Sequence, residues 1–232
     1  MASVIDSFRE VFGDRLAFFK IFILSIPVYY TYGLYVTPKG VSKDFLLFAV
    51  LTVLLLFGVL IETTHNVVSE QDYVLPVLNP FKIVFDIIKG LIAIGPFAFV
   101  LYLIANFFCN LINIAPWLDI SIESLIWLLI ASIVMSAFLL FCTHKRVLDA
   151  FDIKAIYKNA GDLILILLVF ILKLLAVNIP IIAFFGYAFY ILFGFGHIFN
   201  FFCAFALVFN LGVIGHYMGQ VHYELFEYNK EV

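Results

Sequence analysis

Lys173, in the apolar run Leu172-Lys173-Leu174-Leu175, is the one charge deep inside a candidate membrane span. Ionisable groups at such depth are rare, face protein or water, and mark binding or transport sites. A lysine there can hold an anionic head group or substrate, or pair with a carboxylate. If its helix ends near Asn178, the same side chain lies about a turn from the interface and can snorkel to water instead. A second constellation is His65, His144 and His216, with Glu62 near the first. The histidines close three comparable stretches, in Thr64-His65-Asn66, Thr143-His144-Lys145 and Gly215-His216-Tyr217. Imidazoles brought together at one membrane face can bind a metal or relay protons. Imidazoles that merely share a depth do neither, and no metal site is expected. His216 and His222 would stand about 120° apart on a helix, which is poor for sharing an ion.

Other polar and small residues read as packing. Gly212, Gly215 and Gly219 put small residues on one helix face, and Gly215-x-x-x-Gly219 is a close-packing pattern. Contact with another helix of the same chain is expected over a dimer seam. Asn106, Asn178 and Asn210 sit near span ends, where hydrogen bonding across helices is the simpler role. No nucleophile elbow, phosphate-cradling glycine loop, HExxH or paired cysteine is present. The loops are too short for a soluble catalytic domain, so neither an enzyme nor a cofactor is expected.

These residues must be held by helices in lipid. The chain is 65% apolar and 12% charged, with 29 Phe and 12 Tyr, whereas soluble domains are about 45–50% apolar and about 25% charged. So few charges cannot cover a soluble globule of 232 residues. The net charge of −3 gives no case for nucleic acid. Cys109, Cys142 and Cys203 form no C-x-x-C pair and read as small buried hydrophobes. Near the N-terminus Asp6, Arg9, Glu10, Asp14, Arg15 and Lys20 mix both signs and no small-residue cleavage site follows, so the first apolar run is expected to stay as a span.

The apolar pattern predicts an all-α, polytopic bundle of about six spans of roughly 20 residues. They are expected near 16–35, 45–61, 87–108, 122–141, 162–177 and 198–216, with a turn at Thr37-Pro38-Lys39-Gly40 and a connection at 110–119 carrying Trp117. After Asn178-Ile179-Pro180, the fifth span either continues through a kink to about Tyr187 or gives way to a short re-entrant piece. Three stretches open alike: Ile5-Asp6-Ser7-Phe8-Arg9, Leu78-Asn79-Pro80-Phe81-Lys82 and Leu148-Asp149-Ala150-Phe151-Asp152. With the three histidine endings they suggest a single membrane domain, 1–232, of three parallel hairpin repeats at about 5–77, 78–147 and 148–225. Each repeat would begin with an amphipathic interfacial helix capped at Asp6, Asn79 or Asp149. Lysine and arginine crowd one side of such a topology: Arg9, Arg15, Lys20, Lys82, Lys89, Lys145, Arg146, Lys154, Lys158 and Lys230, against Lys39 and Lys43. By the positive-inside rule both termini face the cytoplasm across the cell membrane.

The chain resembles a family of prokaryotic multi-pass membrane proteins known as domain of unknown function 4013. The resemblance rests on Asp6-Ser7-Phe8-Arg9, residues 67–76, Ile156-Tyr157-Lys158-Asn159 and Gly215-His216-Tyr217-Met218-Gly219-Gln220, and covers nearly the whole chain. Residues 181–201 are extended relative to the family. No activity is established for it, so the resemblance implies architecture and membrane location and no catalytic residue. Short loops and few polar groups within spans suit a non-catalytic scaffold or subunit, in contact with the bilayer and with a membrane protein partner or further copies of itself. The alternative is a small transporter or lipid-handling protein with Lys173 as its anion contact, for which Lys173, Asn178 and Asn210 would have to face one wet cavity.

Overall fold

The computed structural model describes residues 2–35, 43–111, 116–194 and 196–227. Among them all regular structure is helical: α1 (Val4–Gly13), α2 (Ala17–Tyr35), α3 (Lys43–Val68), α4 (Pro80–Leu111), α5 (Pro116–His144), a 3₁₀ turn (Val147–Phe151), α6 (Ile153–Phe193), α7 (His197–His222) and a closing π turn (Tyr223–Glu227). Six of the helices are long and apolar enough to cross a bilayer, consistent with a multi-pass integral membrane protein. The turn at Thr37–Gly40, residues 112–115, the side chain of Trp117 and Lys230 lie outside the described residues.

Helix starts differ from the shared pattern read in the sequence. Ser3, not Asp6, caps α1: its backbone is extended and its hydroxyl accepts from the Asp6 amide at 3.2 Å. Asn79 does cap α4, accepting from the Lys82 amide at 3.3 Å, and Pro80 fills the first helical position. Asp149 lies inside the 3₁₀ turn, and Asp152 caps α6 by accepting from the Ala155 amide at 3.1 Å. The three caps therefore stand at different offsets from Phe8, Phe81 and Phe151. In the second and third copies one helix, α4 or α6, carries the chain from lead-in into span, whereas the first lead-in is a separate α-helix.

The chain forms two compact units, Met1–Ile87 with Leu172–Val232, and Ile88–Ile171. In the first, α7 packs against α1, α2 and α3. Its core holds Val11, Ile21, Leu24, Leu75, Val208 and Val213, among others. A ladder of rings joins the same helices: Phe8 and Phe12 lie 5.4 and 4.5 Å from Phe209, and Phe22 lies 5.0 Å from Phe201. On α1 the buried side is Val4, Ser7 and Val11, while Ile5 and Phe12 are 72% and 51% exposed. Between α1 and α2 the chain reverses at Leu16, whose φ of 62° is a left-handed conformation unusual for a branched side chain.

In the second unit the 3₁₀ turn packs against α5, and Tyr102 of α4 lies 5.8 Å from Trp127 of α5. Ala137, Leu139, Phe141 and Ala150 are fully buried. α6 runs unbroken through Asn178 and Pro180 for 41 residues, about 60 Å at the helical rise. The helix thus continues past Asn178-Ile179-Pro180 to Phe193 without a break, since a helix loses only one amide donor at a proline.

Candidate functional site

The polar residues of the first unit gather where α1, the linker after α3, the start of α4 and the end of α7 meet. The Asp14 side chain, fully buried, follows the end of α1. One carboxylate oxygen accepts from the Val74 and Leu75 amides, both at 2.6 Å, and the other accepts from Lys20 Nζ at 2.7 Å. Lys20 Nζ also donates to the Leu75 carbonyl at 3.2 Å and stands 5.6 Å from the Tyr73 ring centroid. Both charges are thereby neutralised and their hydrogen bonds made, the condition on which a buried ion pair persists. Asn66 adds a bond from its amide to the Val74 carbonyl at 3.2 Å.

A second layer ties α7 to α1 and α3. The Ser3 amide donates to Gln220 Oε1 at 2.8 Å, and Ser7 Oγ lies 3.0 Å from His216 Nδ1. Tyr223 Oη donates to the Val67 and Val68 carbonyls at 3.2 and 3.0 Å, closing the end of α3. Glycines let the helices approach for this. A Cβ on Gly212 would stand 2.9 Å from Leu75 Cδ2, one on Gly215 2.8 Å from Thr63 Cβ, and one on Gly219 2.5 Å from Val67 Cβ. The stripe Gly212, Gly215, Gly219 is a contact face of α7 within its own chain, against α3 and the linker.

The residues singled out in the sequence are dispersed. Glu62 is 1% exposed and pairs with Lys82 Nζ at 3.0 Å. His216 is buried on Ser7, His65 is half-buried, and His144 is exposed in the second unit. Among the described residues no three His, Cys, Asp or Glu side chains form a group able to hold a metal. Lys173 is exposed on α6. Asn178 and Asn210 donate to Leu174 and Ala206 of their own helices, at 3.0 and 2.8 Å, rather than across helices. Of the cysteines only Cys142 is buried; Cys109 is intermediate and Cys203 exposed. A cavity of about 180 Å³ between α2 and α7 is lined by Val28, Tyr32, Phe199, Asn200, Cys203, Ala204 and Leu207. It is below the roughly 300–1,000 Å³ of ordinary ligand sites, and neither Lys173, Asn178 nor Asn210 lines it. Near it, Tyr29 Oη lies 2.7 Å from His197 Nδ1.

Sequence reasoning passed over Ser7, Asp14, Lys20, Asn66, Gln220 and Tyr223. The available signal was Asp14 and Lys20 bracketing the break before the first apolar run. What the assembled groups do is join elements: each carboxylate or lysine in the belt has an opposite charge or a backbone group as partner. Comparison of the chain with protein-family models, curated proteins and solved structures returns no match.

Proposed function

We propose that this protein is a non-catalytic component of the cytoplasmic membrane, a scaffold or a subunit of a larger assembly. The observation that carries the reading is the use made of charge. Asp14, Lys20, Glu62 and Lys82 are consumed in ties between elements of one unit, which rigidifies a frame. A solute pathway needs polar lining, and Asn178 and Asn210 spend their donors on their own helices. The lysine and arginine bias supports both termini on the cytoplasmic side. Membership of the domain of unknown function 4013 family belongs to the same proposal and rests on the four short stretches that resemble it.

One observation favours the second reading, a small transporter or lipid-handling protein: Lys173 is exposed in an otherwise uncharged stretch. Gentle detergent extraction followed by mass spectrometry of co-purifying proteins and small molecules separates the two. A stoichiometric protein partner, or a defined oligomer of the chain, supports the scaffold. A stoichiometric solute with no protein partner sinks it.

A further inference from the structure

We propose that the contact between α1 and α7 is an acid-sensitive clasp, in which a second proton on His216 loosens the N-terminal part of α1 from α7. The inference concerns the first unit alone and holds under either reading of the function. Ser7 is fully buried and His216 is 6% exposed. They meet with Ser7 Oγ 3.0 Å from His216 Nδ1. Ser7 Oγ also lies 3.0 Å from the Ser3 carbonyl, an acceptor to which only the hydroxyl can donate. A serine has one proton to give. Both contacts are therefore made together when Nδ1 carries the ring proton and donates to Ser7, which leaves Nε2 to take the second.

That second proton meets no acceptor. Among the described residues Nε2 has no hydrogen-bond partner, while the bond at Ser7 is already made in the neutral form. Protonation thus places a charge on a buried ring with no new bond to offset the lost water. The charged groups acting on the ring are Glu10 and Asp6, both of α1; among the described residues none comes from α2 or α3, which also pack on α7. α3 meets this turn of α7 with Leu60 and Thr63, against Gly215. Both carboxylates are exposed, so water and salt screen their attraction. The neutral ring is the form that fits.

The two ends of α1 are held differently. At its C-terminal end Asp14 is fixed to Lys20 and to the Val74 and Leu75 amides, and the chain turns at Leu16. At its N-terminal end the polar ties to α7 are Ser7 to His216 and the Ser3 amide to Gln220, with Val4 and Phe8 adding apolar contact. Weakening the His216 tie therefore tilts α1 about the Asp14 fixture and leaves the rest of the unit in place. The clasp holds in full above about pH 6.5, where a free imidazole is neutral. It weakens as pH falls below that, because the open form takes up the proton more readily than the closed one.

The test follows backbone hydrogen exchange of the full chain in nanodiscs at about pH 7.5 and about pH 5.5, corrected for the pH dependence of chemical exchange itself. In wild type, residues 4–13 are expected to open up to about tenfold more often at the lower pH, the limit for one group over the pH unit below its free value. In H216Q the response should vanish, because the glutamine keeps an amide donor toward Ser7 and takes up no proton. Equal opening of wild type at the two pH values overturns the proposal. So does slower opening in acid, which would mean that Glu10 and Asp6 draw the charged ring tighter. A full acid response in H216Q also overturns it and moves the cause to another group. Should H216Q not fold, wild type decides by place: acceleration confined to residues 4–13 supports the clasp, and equal acceleration in 59–66 of α3 overturns it as general loosening.

Discussion

The two units differ in one use of hydroxyls, the bond that crosses between helices, although Ser25 of the first unit also returns its hydroxyl to Ile21 of its own helix. In the first, Ser7 reaches from α1 to His216 on α7, and Tyr223 reaches back to the end of α3. In the second, Ser124, Ser132 and Thr143 return their hydroxyls to Ile120, Leu129 and Leu139 of the same helix. Glycines repeat it in part, since Gly13, Gly33 and Gly186 of the first unit are as open as those of the second. Gly212, Gly215 and Gly219 lie against neighbouring side chains, whereas a Cβ on Gly95 or Gly161 would meet nothing within 4 Å. A bond within a helix secures that helix; a bond between helices secures a fold. In the first unit individual polar atoms tie one helix to another.

Six substitutions, read by thermal or denaturant unfolding in detergent, would break or sharpen that contrast. The largest effect is expected from Asp14→Ala, which strands a nearly buried Lys20 and two amides and should cost about 4 kcal/mol. Adding Lys20→Met should recover much of the loss, and wild-type stability in Asp14→Ala alone would show the tie to be incidental. Gly219→Leu forces a branched side chain into Val67 and should cost about 3 kcal/mol; an unchanged midpoint would mean that α3 and α7 do not meet as described. Ser7→Ala should cost about 1.5 kcal/mol by leaving His216 without its partner, while Ser124→Ala in the second unit stays within about 0.5 kcal/mol. Equal losses from the two serines would erase the distinction. Opposite in sign is Gly161→Ala, expected to stabilise α6 by about 0.5–1 kcal/mol because nothing crowds the new methyl; destabilisation would reveal a neighbour at that face.

Span count and helical character were legible because runs such as 45–61 and 122–141 have one physical reading in any solvent. Gly215 and Gly219 were legible as close-packing residues for a similar reason: spacing four on a helix is a face. The Asp14–Lys20 tie was not, since six residues is no helical repeat and the pair forms only because Leu16 turns the chain between them. The linker that completes it lies far along the sequence, at Val74 and Leu75. The shared caps misled for the opposite reason. Asp6 and Asp149 are good capping residues, but Ser3 lies a turn earlier than the one and Asp152 three residues later than the other, and the helices use those. Asn178-Ile179-Pro180 likewise looked like a stop, because local propensity says nothing of how much apolar helix stands on either side.

The seam between α3 and α7 also sets a clock. At about 5–20 residues per second of synthesis, roughly eight to thirty seconds separate Val68 from Gly219. Through that interval Thr63 and Val67 have no glycine to lie against, and Ser7 has no imidazole. A nascent first unit must wait in the membrane as an unfinished surface, polar along one flank, until a helix made much later arrives to close it. Chains halted before α7 should consequently be the ones that membrane chaperones and proteases find.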